Sequence, residues 1–467
     1  MGQTTTESAN SQAIIDGVEI TSDCLSGRAG LSLFVRYLRG IGIYPQIDTF
    51  FGTMRRSHKG QPICEIFKQL FCFFVDGTSR HLSYFDLLRA DEGYARSTES
   101  EPHTMLSSHS IKRFFRGFWW QRIYLFRHLL QRLFLWRLRL ERPEVVILGV
   151  DTMVMDNDEA PKRHGVRPTY KKVRGFQPLQ MAWGRYVIDA VFRRGDTHSN
   201  HADTVEKMVR HVVGKIRKHY RSDIAIVVRM DSGFFDQKLY DLFEELRIGY
   251  AAGGKLYDDI KSTVSKMDRS SWGRHEQGRQ VWEYVEMDDR RKSWKKSRRA
   301  IFCRPLCEDG QFVLDFARPD TLIYTNLGRG EPIDGQLIAC RRDDLLTPTG
   351  IIELYHGRGS DELVHRALKD FGFEELPFKR FAQNAAFYYT MLTAFFLYES
   401  FKEDVCGELV EIGAYATTVR RRIIDIAAKI VRHSGKVILK VTAATWEALR
   451  FAETWKSSGT PPRFAWT

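Results

Sequence analysis

The chain has 467 residues, 43% of them apolar and 13% aromatic. That is enough to bury a sizeable core, and it excludes a wholly disordered protein. Lys and Arg number 71 against 58 Asp and Glu, a formal net charge of +13, and the excess points to a polyanion such as nucleic acid. Seven cysteines (24, 64, 72, 303, 307, 340 and 406) are odd in number and widely spread, which argues against a secreted disulfide scaffold. Cys303 and Cys307 lack the second pair that a zinc finger would need.

Residues 1–20 open polar and carry no signal-peptide pattern, so they read as a disordered tail of a cytoplasmic protein. Residues 21–142 read mostly as helices, with Gly and Pro between apolar-periodic runs. The last of these, about 110–141, combines aromatics with arginine: nine basic residues and one acid, Glu141, lie between Lys112 and Arg142. Arg122, Arg127, Arg132 and Arg137 recur every fifth position, which winds round a helix, so some must meet other parts of the protein or DNA. We read 21–142 as a helical DNA-binding region.

From residue 143 the pattern becomes α/β. Val145–Val150 is a continuous apolar run, as in a strand buried on both faces, and it ends at Asp151. A basic loop follows, then strand-like runs near 178–183 and 187–192. Next come an amphipathic helix about Val205–Ile216, a second buried-strand run ending at Asp231, a helix near 235–246 and a strand near 248–252. The order over 143–252 is β-β-β-α-β-α-β. Residues 253–345 interrupt it with strand-like pieces at 281–287, 299–306, 311–316 and 321–326, and Asp309-Gly310 is a hairpin signal. This reads as an antiparallel β insertion. The α/β unit resumes over 346–402, where Phe381–Tyr398 is uncharged but reads as a buried helix and not a membrane span. Residues 403–467 read as a basic helical region.

Strand-terminal carboxylates in an α/β sheet line a crevice where ligands bind. Two aspartates meeting there repel unless a cation sits between them, and hard oxygen ligands suit Mg²⁺ or Mn²⁺. In Tyr355-His-Gly-Arg-Gly-Ser-Asp-Glu-Leu-Val-His-Arg-Ala-Leu-Lys369, the residues Tyr355, Arg358, Glu362 and Lys369 fall on one stripe if the segment is a continuous helix at ~100° per residue. Glu362 would complete a metal site while the flanking groups hold phosphates. Gly357 and Gly359 interrupt that helix, and a start near Ser360 would leave Tyr355 and Arg358 on the preceding turn. His198 and His201, beside Asp196 and Asp203, have a passable metal spacing but also precede a helix. No Walker-type loop is present, so no nucleotide cofactor is expected.

The pattern Tyr-x2-Arg-x3-Glu-x6-Lys, preceded by an Asp at the end of each of two strands, resembles the catalytic signature of bacterial insertion-sequence DDE transposases. The resemblance spans about 143–402. It implies an RNase H-like mixed sheet with flanking helices and a β-rich insertion before the catalytic Glu. It further implies that Asp151, Asp231 and Glu362 are catalytic and hold Mg²⁺, that Arg358 and Lys369 contact phosphates, and that Tyr355 orients DNA at the cleavage site.

Residues 290–299 of the insertion hold seven basic residues around Trp294. Trp294, Lys295 and Arg298 are therefore candidates for a DNA strand end, with Trp272 and Trp282 competing for the aromatic role. The implied activity is metal-dependent cutting at terminal inverted repeats and joining of a 3′-OH to target DNA, by a homodimer in the DNA complex. An RNase H-like nuclease without strand transfer, or a catalytically dead DNA-binding regulator, are the rival readings.

Overall fold

The computed structural model describes residues 15, 17–54, 60–308, 311–312 and 319–464. The N-terminal part is helical, its longer members being α1 (Leu31–Ile41), α2 (Ile63–Asp76), α3 (Ser108–Arg116) and α4 (Trp120–Glu141). The winding arginines of α4 are answered by the protein itself. Arg127 makes a bidentate pair with buried Asp189, both bonds at 2.7 Å. Arg137 is buried among Glu141, Glu403 and Asp404, and Arg139 donates to the carbonyl of His219. α4 is thus an internal strut, not a free DNA-reading helix.

The centre of the molecule is a mixed sheet. β1 (Val145–Thr152) is its axis. β2 (Leu179–Trp183) and β3 (Tyr186–Val191) extend it antiparallel on one side, while β4 (Ala225–Met230) and β5 (Gly249–Gly253) extend it parallel on the other. Two crossover helices, α5 (Thr204–His219) and α6 (Gln237–Glu245), make the parallel pairings possible. The order β3-β2-β1-β4-β5, three antiparallel strands and then two parallel, is the mixed sheet with flanking helices that the resemblance implies.

The insertion is antiparallel as expected, yet it is not a separate layer. Its strands β6 (Gly273–Gln277), β7 (Gln280–Asp289), β8 (Arg298–Glu308) and β9 (Thr321–Thr325) pair in series, and β9 pairs with β5. With the short strand Gln311–Phe312, which pairs with β8, they carry the central sheet on to ten strands among the described residues. The Asp309-Gly310 turn lies outside the described residues, although Glu308 pairs with Gln311 across it.

Beyond the insertion come α7 (Pro348–His356), α8 (Gly359–Phe371) and α9 (Phe381–Cys406). α9 is buried nearly all round, and its polar groups are satisfied locally. Asn384 bonds both the N–H and the carbonyl of Phe378, and Thr390 and Thr393 donate to carbonyls four residues back. No helix among the described residues is long and apolar enough to cross a membrane.

The C-terminal part departs from the helical expectation. Ala428–His433 and Lys436–Val441 form a hairpin that pairs with Cys24–Ser26, so the two ends of the chain share a three-stranded sheet. One apolar core runs from Ala29 to Phe464 and includes residues of the N-terminal helices, the sheet and α9. A second, smaller core lies on the other sheet face, under α7. The helices of 21–142 therefore share their interior with the sheet and are no independent unit.

Candidate active site

Side chains alternate along a strand, so Gly149 and Asp151 of β1 share a face, as do Arg229 and Asp231 at the end of β4. In the parallel register Gly149 lies opposite Arg229 and Val150 opposite Met230. The next residue on each strand is an aspartate, and the two leave the sheet side by side. Burial first, and then the charge of Asp231, push the Asp151 carboxyl up to about 7, with Arg358 acting against the rise and Glu362 adding to it. The Asp231 carboxylate accepts the Gly233 N–H at 2.9 Å, which caps the short turn after β4.

Helices α7 and α8 cover this face. Beneath them the buried Arg229 guanidinium binds the buried Asp361 carboxylate through two bonds of 2.9 and 2.7 Å. Burial raises the Asp361 pKa, and Arg229 opposes that rise. Two glycines make room for the pair. A Cβ on Gly149 would lie 2.3 Å from Asp361 Oδ2, and one on Gly357 would lie 2.7 Å from Arg229 Nη1. The pair joins the strand that carries Asp231 to the first turn of the helix that carries Glu362.

Glu362 is exposed, with its Oε1 3.3 Å from Arg358 Nη1. Among the described residues no three His, Cys, Asp or Glu side chains form a metal-binding cluster. The two aspartates converge, while Glu362 is close enough to act on Asp151 electrostatically but is engaged by Arg358. The His198/His201 spacing likewise builds no such cluster. The two aspartates suit a hard divalent cation by donor type and by mutual repulsion.

The four-residue stripe is not a single helix. α7 ends at His356, and α8 begins at Gly359. Tyr355 is buried on the last turn of α7, and its hydroxyl reaches toward the end of β4, because a Cβ on Gly253 would lie 2.6 Å from both Tyr355 Oη and the Ser232 nitrogen. Arg358 sits at the junction. Burial works against its charge, but Tyr355, Asp231, Asp151 and Glu362 together hold its pKa above the ordinary value. Lys369, two turns beyond Glu362, is paired with Glu374 at 2.7 Å.

Sequence reasoning missed four residues. His365 Nδ1 lies 3.8 Å from Asp151 Oδ2, and burial, with Lys369, Lys171 and Arg358 nearby, lowers its pKa to about 4. Its place three residues after Glu362 was the available signal. The Arg229–Asp361 pair was signalled only by adjacency to the two acids. Tyr170, in the loop after β1, feels both Asp151 and Asp231.

The family model described as transposase DDE domain group 1 matches residues 4–457. The chain belongs to the transposase DDE domain group 1 family. No curated protein matches it. Among solved structures it is distantly similar to the cryo-EM structure of piggyBac transposase synaptic complex with hairpin DNA. That likeness has a TM-score of 0.37 and 13% identity, and covers 83% of this chain and 78% of that chain.

In this DDE-family chain the basic run of the insertion is mostly held by its own acids. Arg291 pairs with Asp259 and Asp289, Lys296 with Glu244 and Glu331, and Arg299 with Glu286. Arg298 is buried, paired with Asp241 and Glu244 and stacked on Tyr240 and Trp294. Trp294 is buried against Phe235, Tyr240 and Tyr324. Here the expectation of a DNA-facing Trp294 and Arg298 is corrected: an indole among four aromatic and cationic neighbours gains more from packing than from solvent, and the hairpin closes over it. Lys295 stays exposed. Of the competing tryptophans, Trp282 lies next to the site, between His275 and His356, and Trp272 packs on Phe302 under Arg269 and Arg304.

Proposed function

We propose that the chain is the transposase of a bacterial insertion element, cutting DNA at the element's terminal inverted repeats and joining the freed 3′-OH to target DNA. The supporting observation is the side-by-side exit of Asp151 and Asp231 from adjacent parallel strands, with the Glu362 helix pinned across the same face. In this reading Asp151, Asp231 and Glu362 hold Mg²⁺, with Mn²⁺ as a substitute. Such a cation supplies charge neutralisation and Lewis acidity at a phosphodiester. Glu362 would join the two aspartates in holding such a cation, and Arg358 beside it would be placed for a phosphate oxygen, which its fork of donors suits. Tyr355 orients the strand beside Asp231, Lys369 steadies a neighbouring phosphate, and His365 stands 3.8 Å from the Asp151 carboxylate. Two DNA ends imply two copies of the chain in the complex.

The test is incubation with supercoiled DNA carrying the element's own ends, with Mg²⁺ or with EDTA. Nicking in Mg²⁺ alone, lost in Asp231→Ala, is the expected result. Nicking that survives Asp231→Ala would remove the catalytic assignment, and cleavage without strand-transfer product would favour the nuclease.

A further inference from the structure

Most cations near the sheet and in the insertion are held by the chain's own acids, which makes an unpaired group of them informative. Lys112 and Arg116 stand one helical turn apart on α3, on the same face. Lys379 and Arg380 immediately precede α9. All four are exposed, and none makes a salt bridge or side-chain hydrogen bond with a described residue. They line one cleft of about 590 Å³ together with Pro377, Phe378 and Gln383, and no acid among the described residues lines it. Four like charges around one cleft repel one another, and an anion lying in the cleft would reverse that repulsion.

Exposed aromatics follow α3 in the chain. Trp119 and Trp120, at the corner between α3 and α4, are each more than half exposed (52% and 56%), as is Tyr124 one turn on. The Trp120 ring lies 5.4 Å from the ring of Phe381, the residue after Arg380. Exposed indoles beside unpaired cations suit the sugar edges and phosphates of a nucleic acid more than a small free anion.

The cleft is also tied to the acids. His164, in the loop that follows β1, donates its N–H to the Lys379 carbonyl at 2.9 Å. Gly165, at φ +98°, packs where a Cβ would lie 2.3 Å from the Phe381 ring. The same loop continues to Tyr170, which feels Asp151, and to Lys171, which feels His365, and Lys162, Arg167 and Lys172 on it are exposed. The loop thus connects the surroundings of Asp151 with the cleft.

We infer that the cleft between α3, the start of α4 and residues 377–383 is a second DNA surface, gripping the sugar–phosphate chain of duplex DNA away from the scissile position. The inference rests on the reading that DNA is the substrate. Its test is equilibrium binding of the full chain to a labelled duplex in EDTA, over a series of salt concentrations. The variants are K112Q/R116Q, K379Q/R380Q, the quadruple combination, the charge-retaining R116K/R380K, and a control quadruple at exposed Lys207, Lys218, Lys261 and Lys266.

Each phosphate contact contributes about 0.9 to the slope of log K against log salt. The quadruple variant is expected to bind at least ~10-fold more weakly, with a slope shallower by about 3 to 4, each pair giving about half of that. R116K/R380K and the control should keep the wild-type slope. An unchanged slope in both pairs, or an equal loss in the control, overturns the inference. Nicking assays on Asp231→Ala separate the two claims: their failure removes the catalytic reading and leaves the binding data standing, and the converse removes only the cleft.

Discussion

Asp151 has a carboxyl group held near 7 by burial and by the neighbouring Asp231. Its folded-state pKa lies above its unfolded value of about 3.8, so it contributes stability that is fully present below pH ~4 and lost as pH rises through about 7. The metal-free protein should lose up to about 1.4 kcal/mol of stability per pH unit across that window from this group. Melting midpoints of wild type and Asp151→Asn from pH 4.5 to 8 check this: the variant should lack the descending component. The same variant should reduce Mg²⁺-dependent nicking by on the order of 10³-fold or more, if the aspartates carry the metal. Glu362→Gln should abolish nicking while leaving the melting midpoint within a few degrees, because its side chain is exposed and, among the described residues, paired with Arg358 alone.

Between elements, the Arg229–Asp361 pair is the tie that sets where α8 crosses the sheet. Removing one partner leaves a buried charge, and Asp361→Ala should cost about 3–5 kcal/mol in chemical denaturation. The double variant Arg229→Met/Asp361→Leu should recover much of that stability without recovering nicking, since packing replaces the charge but not the fork that fixes the first turn of α8. Recovery of full nicking in the double variant would show that the pair has no positioning role. Gly149→Ala should destabilise by about 1–3 kcal/mol, because its Cβ would press on the Asp361 carboxylate. The break between α7 and α8 belongs to this scale too. Gly357 makes room for Arg229, so the motif is divided between two helices where period counting alone put one stripe.

Across the whole molecule, the N-terminal helices, the sheet and α9 share one interior, and buried Arg137 links α4 to Glu403 and Asp404 near the end of α9. A chain beginning at residue 143 should therefore fail to unfold cooperatively, and Arg137→Ala should lower full-chain stability by about 3–5 kcal/mol. Calorimetry on both distinguishes this from an independent N-terminal unit, which would leave the shorter chain with its own sharp transition.

The strands that carry Asp151 and Asp231, the antiparallel insertion and the buried α9 were all legible as runs of apolar residues, because burial on both faces of a strand or all round a helix leaves a local mark in the chain. Asp151 and Asp231 were legible as strand-terminal acids, and Glu362, which pairs with Arg358, was legible only as part of a motif. Other features were not: that β9 joins the insertion to β5, that Trp294 and Arg298 turn inward, that Arg127 meets Asp189, and that Lys112 and Arg116 share a cleft with Lys379 and Arg380. Each depends on which distant residue lies opposite. An exposed lysine and a paired one look alike in sequence, and only three-dimensional packing decides whether an acid is within reach of the charge.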